Sequence, residues 1–142
     1  YAAFSLNDLP SEYVFISGEF MGLSSVSSQM NYIETQIEDS KRVFPRKHYF
    51  YPEDLYLLQD VTQETASIFL DRYLEEELID TLAAFFLDCN ENINDTAHLL
   101  FLHNNTIKYR LKRAQERLGL SFSHTASRYL LIKNLIYYRK YK

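Results

Sequence analysis

The chain has 142 residues, 46% of them apolar and 24% charged, which excludes a disordered polyelectrolyte and leaves room for one ordinary domain or two small ones. A single cysteine, Cys89, excludes an internal disulfide and a cysteine-rich zinc site, so neither a metal nor another cofactor is expected. The net charge of −4 hides an asymmetry: residues 1–77 hold 5 Lys/Arg against 14 Asp/Glu, whereas residues 78–142 hold 10 against 5.

In chain order, Tyr1 to Leu6 lacks the basic and apolar regions of a signal peptide, and no apolar run reaches the ~20 residues of a membrane span. A cytoplasmic protein without a membrane partner is expected. Tyr13 to Ser17 is a β-branched and aromatic run that predicts a strand, and Phe20 to Ser24 is a candidate second strand. Met30, Ile33, Ile37 and Phe44 recur at helical spacing from Ser27 to Phe44, and Pro45 closes that helix. Tyr49 to Tyr51 reads as a further strand. Pro52, Glu53 and Asp54 suit the first turn of a helix through Leu58, because proline needs no hydrogen-bonded N–H there and acids favour the positive helix end. Thr62 to Leu74 predicts one more helix. Glu75, Glu76 and Glu77 read as a solvated junction, so residues 1–77 and 78–142 are expected to be separate modules.

Four helical segments are expected in the second module. Leu78 to Cys89 presents Leu78, Leu82, Phe85 and Phe86 on one face, and Asn94 is suited to cap a short helix, Asp95 to Phe101. Leu102 and His103 make a tight turn. Asn104 or Asn105 then caps a longer basic helix, about 104–118, that stops at Gly119. At 100° per residue, Ile107, Leu111, Ala114 and Leu118 share a core arc. Asn105, Tyr109, Lys112, Arg113 and Glu116 lie opposite, flanked by Thr106 and Lys108. A short helix, a tight turn and a longer basic helix make a helix-turn-helix, and the exposed side chains carry the donors used on phosphates and base edges. The DNA-contact set is therefore His103, Asn104, Asn105, Thr106, Lys108, Tyr109, Arg110, Lys112 and Arg113. Arg110, at the edge of the core arc, suits a structural salt bridge as well as a phosphate contact.

The stretch from Leu82 to Leu120 resembles the C-terminal DNA-binding domain of PucR/CdaR-type bacterial transcription regulators. Asn92, Thr96, Ala97, His103, Asn105, Thr106, Tyr109, Arg110, Leu111 and Gly119 carry the resemblance. Ile107 replaces the usual leucine, and Asn104 stands where that family often has arginine, which removes one phosphate contact. More weakly, Gly22 to Ser24, the helix from Ser27 and the stretch Tyr51 to Leu55 resemble the tail of the degenerate, non-catalytic GGDEF-like domain that precedes this module in the family.

The last helix, about His124 to Tyr141, is apolar nearly all round, which calls for a second partner besides the core. A homodimer through Tyr129, Ile136, Tyr137 and Tyr138 is the economical answer. The fold class expected is mainly α: a helix-turn-helix bundle of about four helices preceded by a small α+β segment. The function expected is sequence-specific binding of double-stranded DNA in transcription control, with a dimerising protein-interaction module as the alternative. No nucleophile elbow, phosphate loop or metal motif points to an enzyme.

Overall fold

The structure, a computed structural model, describes residues 2–4, 14–17, 31, 35–63, 65–66 and 70–141. The chain is mainly helical and divides into two compact units, Tyr1–Val61 and Thr62–Lys142.

The first unit is built on a three-stranded sheet in the order β1-β2-β3. Strand β1 (Ala2–Phe4) runs antiparallel to β2 (Val14–Ser17), with Ala3 opposite Ile16. Strand β3 (Tyr49–Phe50) is parallel to β2, pairing Phe15 with Phe50. Parallel neighbours need a crossover, and helix α1 (35–43) lies in the intervening sequence. The candidate strand from Phe20 to Ser24, Met30 and Ile33 fall outside the described residues. Helix α2 spans Pro52–Asp60. At its start the Tyr51 N–H donates to Asp54 Oδ2 at 2.9 Å, and Lys47 Nζ donates to Asp54 Oδ1 at 2.6 Å. Val43, Phe44, Phe50, Leu55, Leu58 and Val61 are buried, the Phe44 and Phe50 rings 6.4 Å apart.

The second unit begins earlier than the expected junction at 77/78, because Leu70 and Leu74 are buried in the same core as Leu78 and Leu82. Among the described residues of 62–74 there is no α-helix. The described residues form a turn at the start and a 3-10 helix at Leu70–Arg72. Threonine hydroxyls supply the local competitor to helix: the Thr62 N–H donates to Thr65 Oγ1 at 2.8 Å, and Thr65 Oγ1 donates back to the Thr62 carbonyl at 3.2 Å.

Helix α3 (Glu76–Ala83) buries Leu78, Ile79, Thr81, Leu82 and Ala83, with Glu76 and Glu77 in its first turn. It runs on into a π-helical turn, Ala84–Asp88, so the expected helix to Cys89 changes pitch partway. The wider turn closes with the Cys89 N–H on the Ala84 carbonyl at 2.9 Å. Phe86 is buried there, edge-on to Phe85 at 5.0 Å and to Phe122 at 5.4 Å.

Helix α4 (Ile93–Leu100) is capped by Asn92 and not by Asn94. Asn92 Oδ1 accepts from the N–H groups of Asn94 at 2.9 Å and Asp95 at 3.1 Å, the two-and-three-ahead pattern of an N-cap. The helix stops at Phe101, in the left-handed region at φ 54° and ψ 41°, while the Leu102 N–H bonds the Ala97 carbonyl at 2.9 Å. A side chain in that conformation costs ~1–2 kcal/mol that glycine avoids.

Helix α5 (Asn104–Leu118) takes His103 as its N-cap residue, leaving Asn104 and Asn105 in the first turn instead of at the cap, and ends on Gly119 at φ 65°. Helix α6 is Thr125–Tyr141. Arg139 grips Asp88 with two bonds, at 2.9 and 2.6 Å, tying α6 to the end of the π turn. The core joins Ile79, Leu82, Ala97, Ile107, Leu111, Ala114, Leu131 and Leu135 from all four helices.

Ala97 is 4% exposed in this core, among Ile107 and Leu111 of α5. Ala97→Leu is expected to overpack the site and lower stability by ~1–3 kcal/mol, read as a drop in Tm. A Tm at or above that of the parent would show that the α4–α5 approach is loose.

Candidate nucleic-acid interface

Helix α5 carries three stripes, and the period of 3.6 residues sorts its side chains among them. The core stripe is Ile107, Leu111 and Ala114, all buried. The second consists of three arginines whose partners lie around the start of α3. Arg110 Nη2 donates to Glu77 Oε2 at 3.0 Å, and its Nη1 donates to the buried Thr81 hydroxyl at 3.2 Å. Arg113 reaches Glu75 Oε1 at 3.3 Å, and Arg117 reaches Glu75 Oε2 at 2.6 Å.

Glu75, Glu76 and Glu77 are solvent-exposed as expected, but two of the three also pair with arginines of α5. The Glu75 carboxyl is held below the usual glutamate range, first by its own backbone N–H and then by Arg117 and Arg113, partly opposed by desolvation. Its ion pairs contribute above the ordinary glutamate pKa and are lost only as pH falls through that lowered value. Asp80, one turn on from Glu76, shifts the other way. Desolvation and then Glu76 raise it, while Arg139 and Arg110 act in opposition.

The third stripe faces solvent. Asn105, Lys108, Tyr109, Lys112 and Glu116 are exposed, Tyr109 by 60%. Lys112 Nζ lies 3.9 Å from Glu116 Oε1, with both side chains well exposed, a pair that contributes little. At the N-terminal end, His103 and Asn104 are exposed and Thr106 is half-buried. Asn104 Nδ2 donates to Asn94 Oδ1 at 2.6 Å, which links the first turns of α4 and α5. Leu102, His103, Asn104 and Asn105 line an open depression of about 440 Å³ beside these turns.

The expected DNA-contact residues thus separate. His103, Asn104, Asn105, Lys108, Tyr109 and Lys112 point outward together. Arg113 is half-buried at the rim, and Arg110 is turned inward with its side chain 19% exposed. The inward role was legible in one signal, the i, i+3, i+7 spacing of Arg110, Arg113 and Arg117. On α6, Tyr129 is 55% exposed and Tyr137 and Tyr138 are half-buried. Ile136 is fully buried, which removes it from the expected dimer contacts. It lies beside Leu135 and Asn134, buried likewise, so this stretch of α6 is covered by the chain itself.

Short α4, a left-handed turn and a longer α5 crossing it over a small alanine define a helix-turn-helix. Residues 78–132 match the PucR C-terminal helix-turn-helix domain. Over 117 residues the chain is 29% identical to the uncharacterized protein YsfB of Bacillus subtilis (strain 168), covering 77% of this chain and 31% of that protein. The chain therefore spans about a third of the length of this curated relative. No solved structure matches it. Among the described residues, no helix is long and apolar enough to cross a membrane.

Arg110→Ala is expected to lower stability by ~1–2 kcal/mol, since it removes two bonds from one half-buried guanidinium. Arg110→Lys should recover little, because one ammonium cannot span Glu77 and Thr81 together. Thermal melts of the two variants check this, and an unshifted Tm for Arg110→Ala would show that the contact is idle.

Proposed function

We propose that this chain is the DNA-binding part of a bacterial transcription regulator, acting without catalysis and recognising specific sequences in double-stranded DNA through α5. The observation that carries this reading is the outward stripe of α5 within a segment matching a helix-turn-helix domain. Lys108 and Lys112 supply phosphate-seeking charge, and Asn105 and Tyr109 supply planar polar groups between them. In the major groove, the outward stripe faces bases while His103, Asn104 and Thr106, at the helix start, meet backbone phosphate. Arg113 joins at the rim. Arg110 acts by holding the helix, not by touching DNA.

A recognition helix reads a few base pairs, so specific affinity calls for two half-sites ~34 Å apart and a homodimer. With Ile136 buried, the contacts proposed on α6 are Tyr129, Tyr137 and Tyr138. A cytoplasmic protein follows from this role. The upstream α+β unit is read as the end of a non-catalytic GGDEF-like domain, and the parallel β2–β3 pairing with α1 between supports a crossover unit of that general kind. The wider match to YsfB supports similarity beyond the helix-turn-helix, since it takes in more of the chain than residues 62–142.

Fluorescence anisotropy with duplex DNA over a range of salt concentrations tests the reading. Phosphate-driven binding weakens steeply as salt rises, and Lys112→Ala is expected to weaken binding to all sequences alike and to reduce the log–log slope by about 1. Binding that ignores salt would contradict a phosphate contact. An unchanged slope would remove Lys112 from the interface.

A further inference from the structure

Phe101 is an expensive residue where it stands. The residue is 93% exposed, and its backbone holds the left-handed conformation that glycine fills without strain. Neither cost is recovered by packing, because the ring lies almost wholly in solvent. The helix cap explains the direction: the reversal at Phe101 turns Leu102 toward the core, where it is half-buried, and leaves Phe101 projecting from the turn.

The surroundings name the kind of surface it fits. Phe101 stands two residues before the cap of α5, with exposed His98, His103, Asn104 and Asn105 close in sequence, and the next large exposed aromatic along the chain is Tyr109 on the outward stripe of α5. From Thr96 to Gln115 the chain holds no Asp or Glu. A protein-docking patch gathers contiguous apolar side chains, whereas an exposed ring set among donors and positive charge matches the DNA backbone, where apolar deoxyribose faces alternate with phosphates.

We propose that Phe101 is a DNA-contact residue, its ring packing on a backbone deoxyribose next to the phosphates met by the start of α5. This rests on the DNA-binding reading of α5 and adds to it an uncharged contact. Lysine contacts release counterions and steepen the salt dependence, but a ring on a sugar releases none. The two kinds of contact are therefore separable by experiment.

The test measures binding of the full chain to random-sequence duplex DNA across a salt series, for the parent, Phe101→Gly and Phe101→Tyr. Glycine suits the left-handed position, so Phe101→Gly should fold and melt above the parent. It should nevertheless bind about fivefold to tenfold more weakly, on a salt line parallel to that of the parent. Phe101→Tyr, which keeps the ring, should bind within about twofold of the parent. Phe101→Gly binding as tightly as the parent would overturn the proposal, as would a shallower slope or an equal loss in Phe101→Tyr. A parent that fails to bind duplex at low salt would overturn the DNA-binding reading and this inference together. Undiminished binding by Phe101→Gly alone would leave that reading standing.

Discussion

Helix α5 is attached to α3 on two levels: apolar contact through Ile107, Leu111 and Ala114, and a line of three arginines on Glu77, Thr81 and Glu75. Burial fixes how deeply α5 sits but is indifferent to small rotations, since apolar contact has no direction. The arginine bonds have direction. Arg110 spans one turn of α3, from Glu77 to Thr81, and Glu75 is shared between Arg113 and Arg117, which hinders rotation of α5 about its axis. The buried stripe sets which face of α5 points outward, and the ion pairs add a restraint against small rotations of the face that carries Asn105, Lys108, Tyr109 and Lys112. The same pairs absorb much of the arginine charge near the α3 start, leaving the lysines as the outward positive groups.

The turns on either side of α4 hold the non-glycine residues of positive φ among the described residues: Asn90 at 47°, Glu91 at 63° and Phe101 at 54°. A helix of eight residues has little stability of its own, so its placement depends on its ends. At the first end, Asn92 caps the helix and Arg128 of α6 pairs with Glu91, holding a residue with little intrinsic preference for that conformation. At the second, the cap at Phe101 reverses the chain within a few residues, which brings the small Ala97 against α5. Strain at both turns serves the close crossing of α4 and α5 on which a helix-turn-helix depends.

Much of the helix-turn-helix was legible in the sequence because its signals are local. The period of Ile107, Leu111 and Ala114 gave the buried face, and Gly119 gave the end of α5. Asn92 and Asn94 both suit a cap by residue type, and the structure puts the capping bonds on Asn92. The π turn was illegible, because Ala83 to Leu87 is apolar throughout and masks a change of pitch. Which acids the arginines meet was illegible for another reason: Glu77 and Glu75 lie 33 and 38 residues from Arg110 and Arg113, beyond any periodicity. The same limit applies to α6, whose even apolar composition does not reveal that Ile136 is covered by the chain itself.

Titration of the isotopically labelled chain with duplex DNA, followed through its amide chemical shifts, tests the central claim most directly. The largest shifts are expected at residues 101–112, concentrated on Asn105, Lys108, Tyr109 and Lys112. The α6 amides and those of Glu75 and Glu77 should move little, since the arginine pairs stay closed. Shifts centred on α6 with α5 unmoved, or none anywhere at low salt, would contradict it.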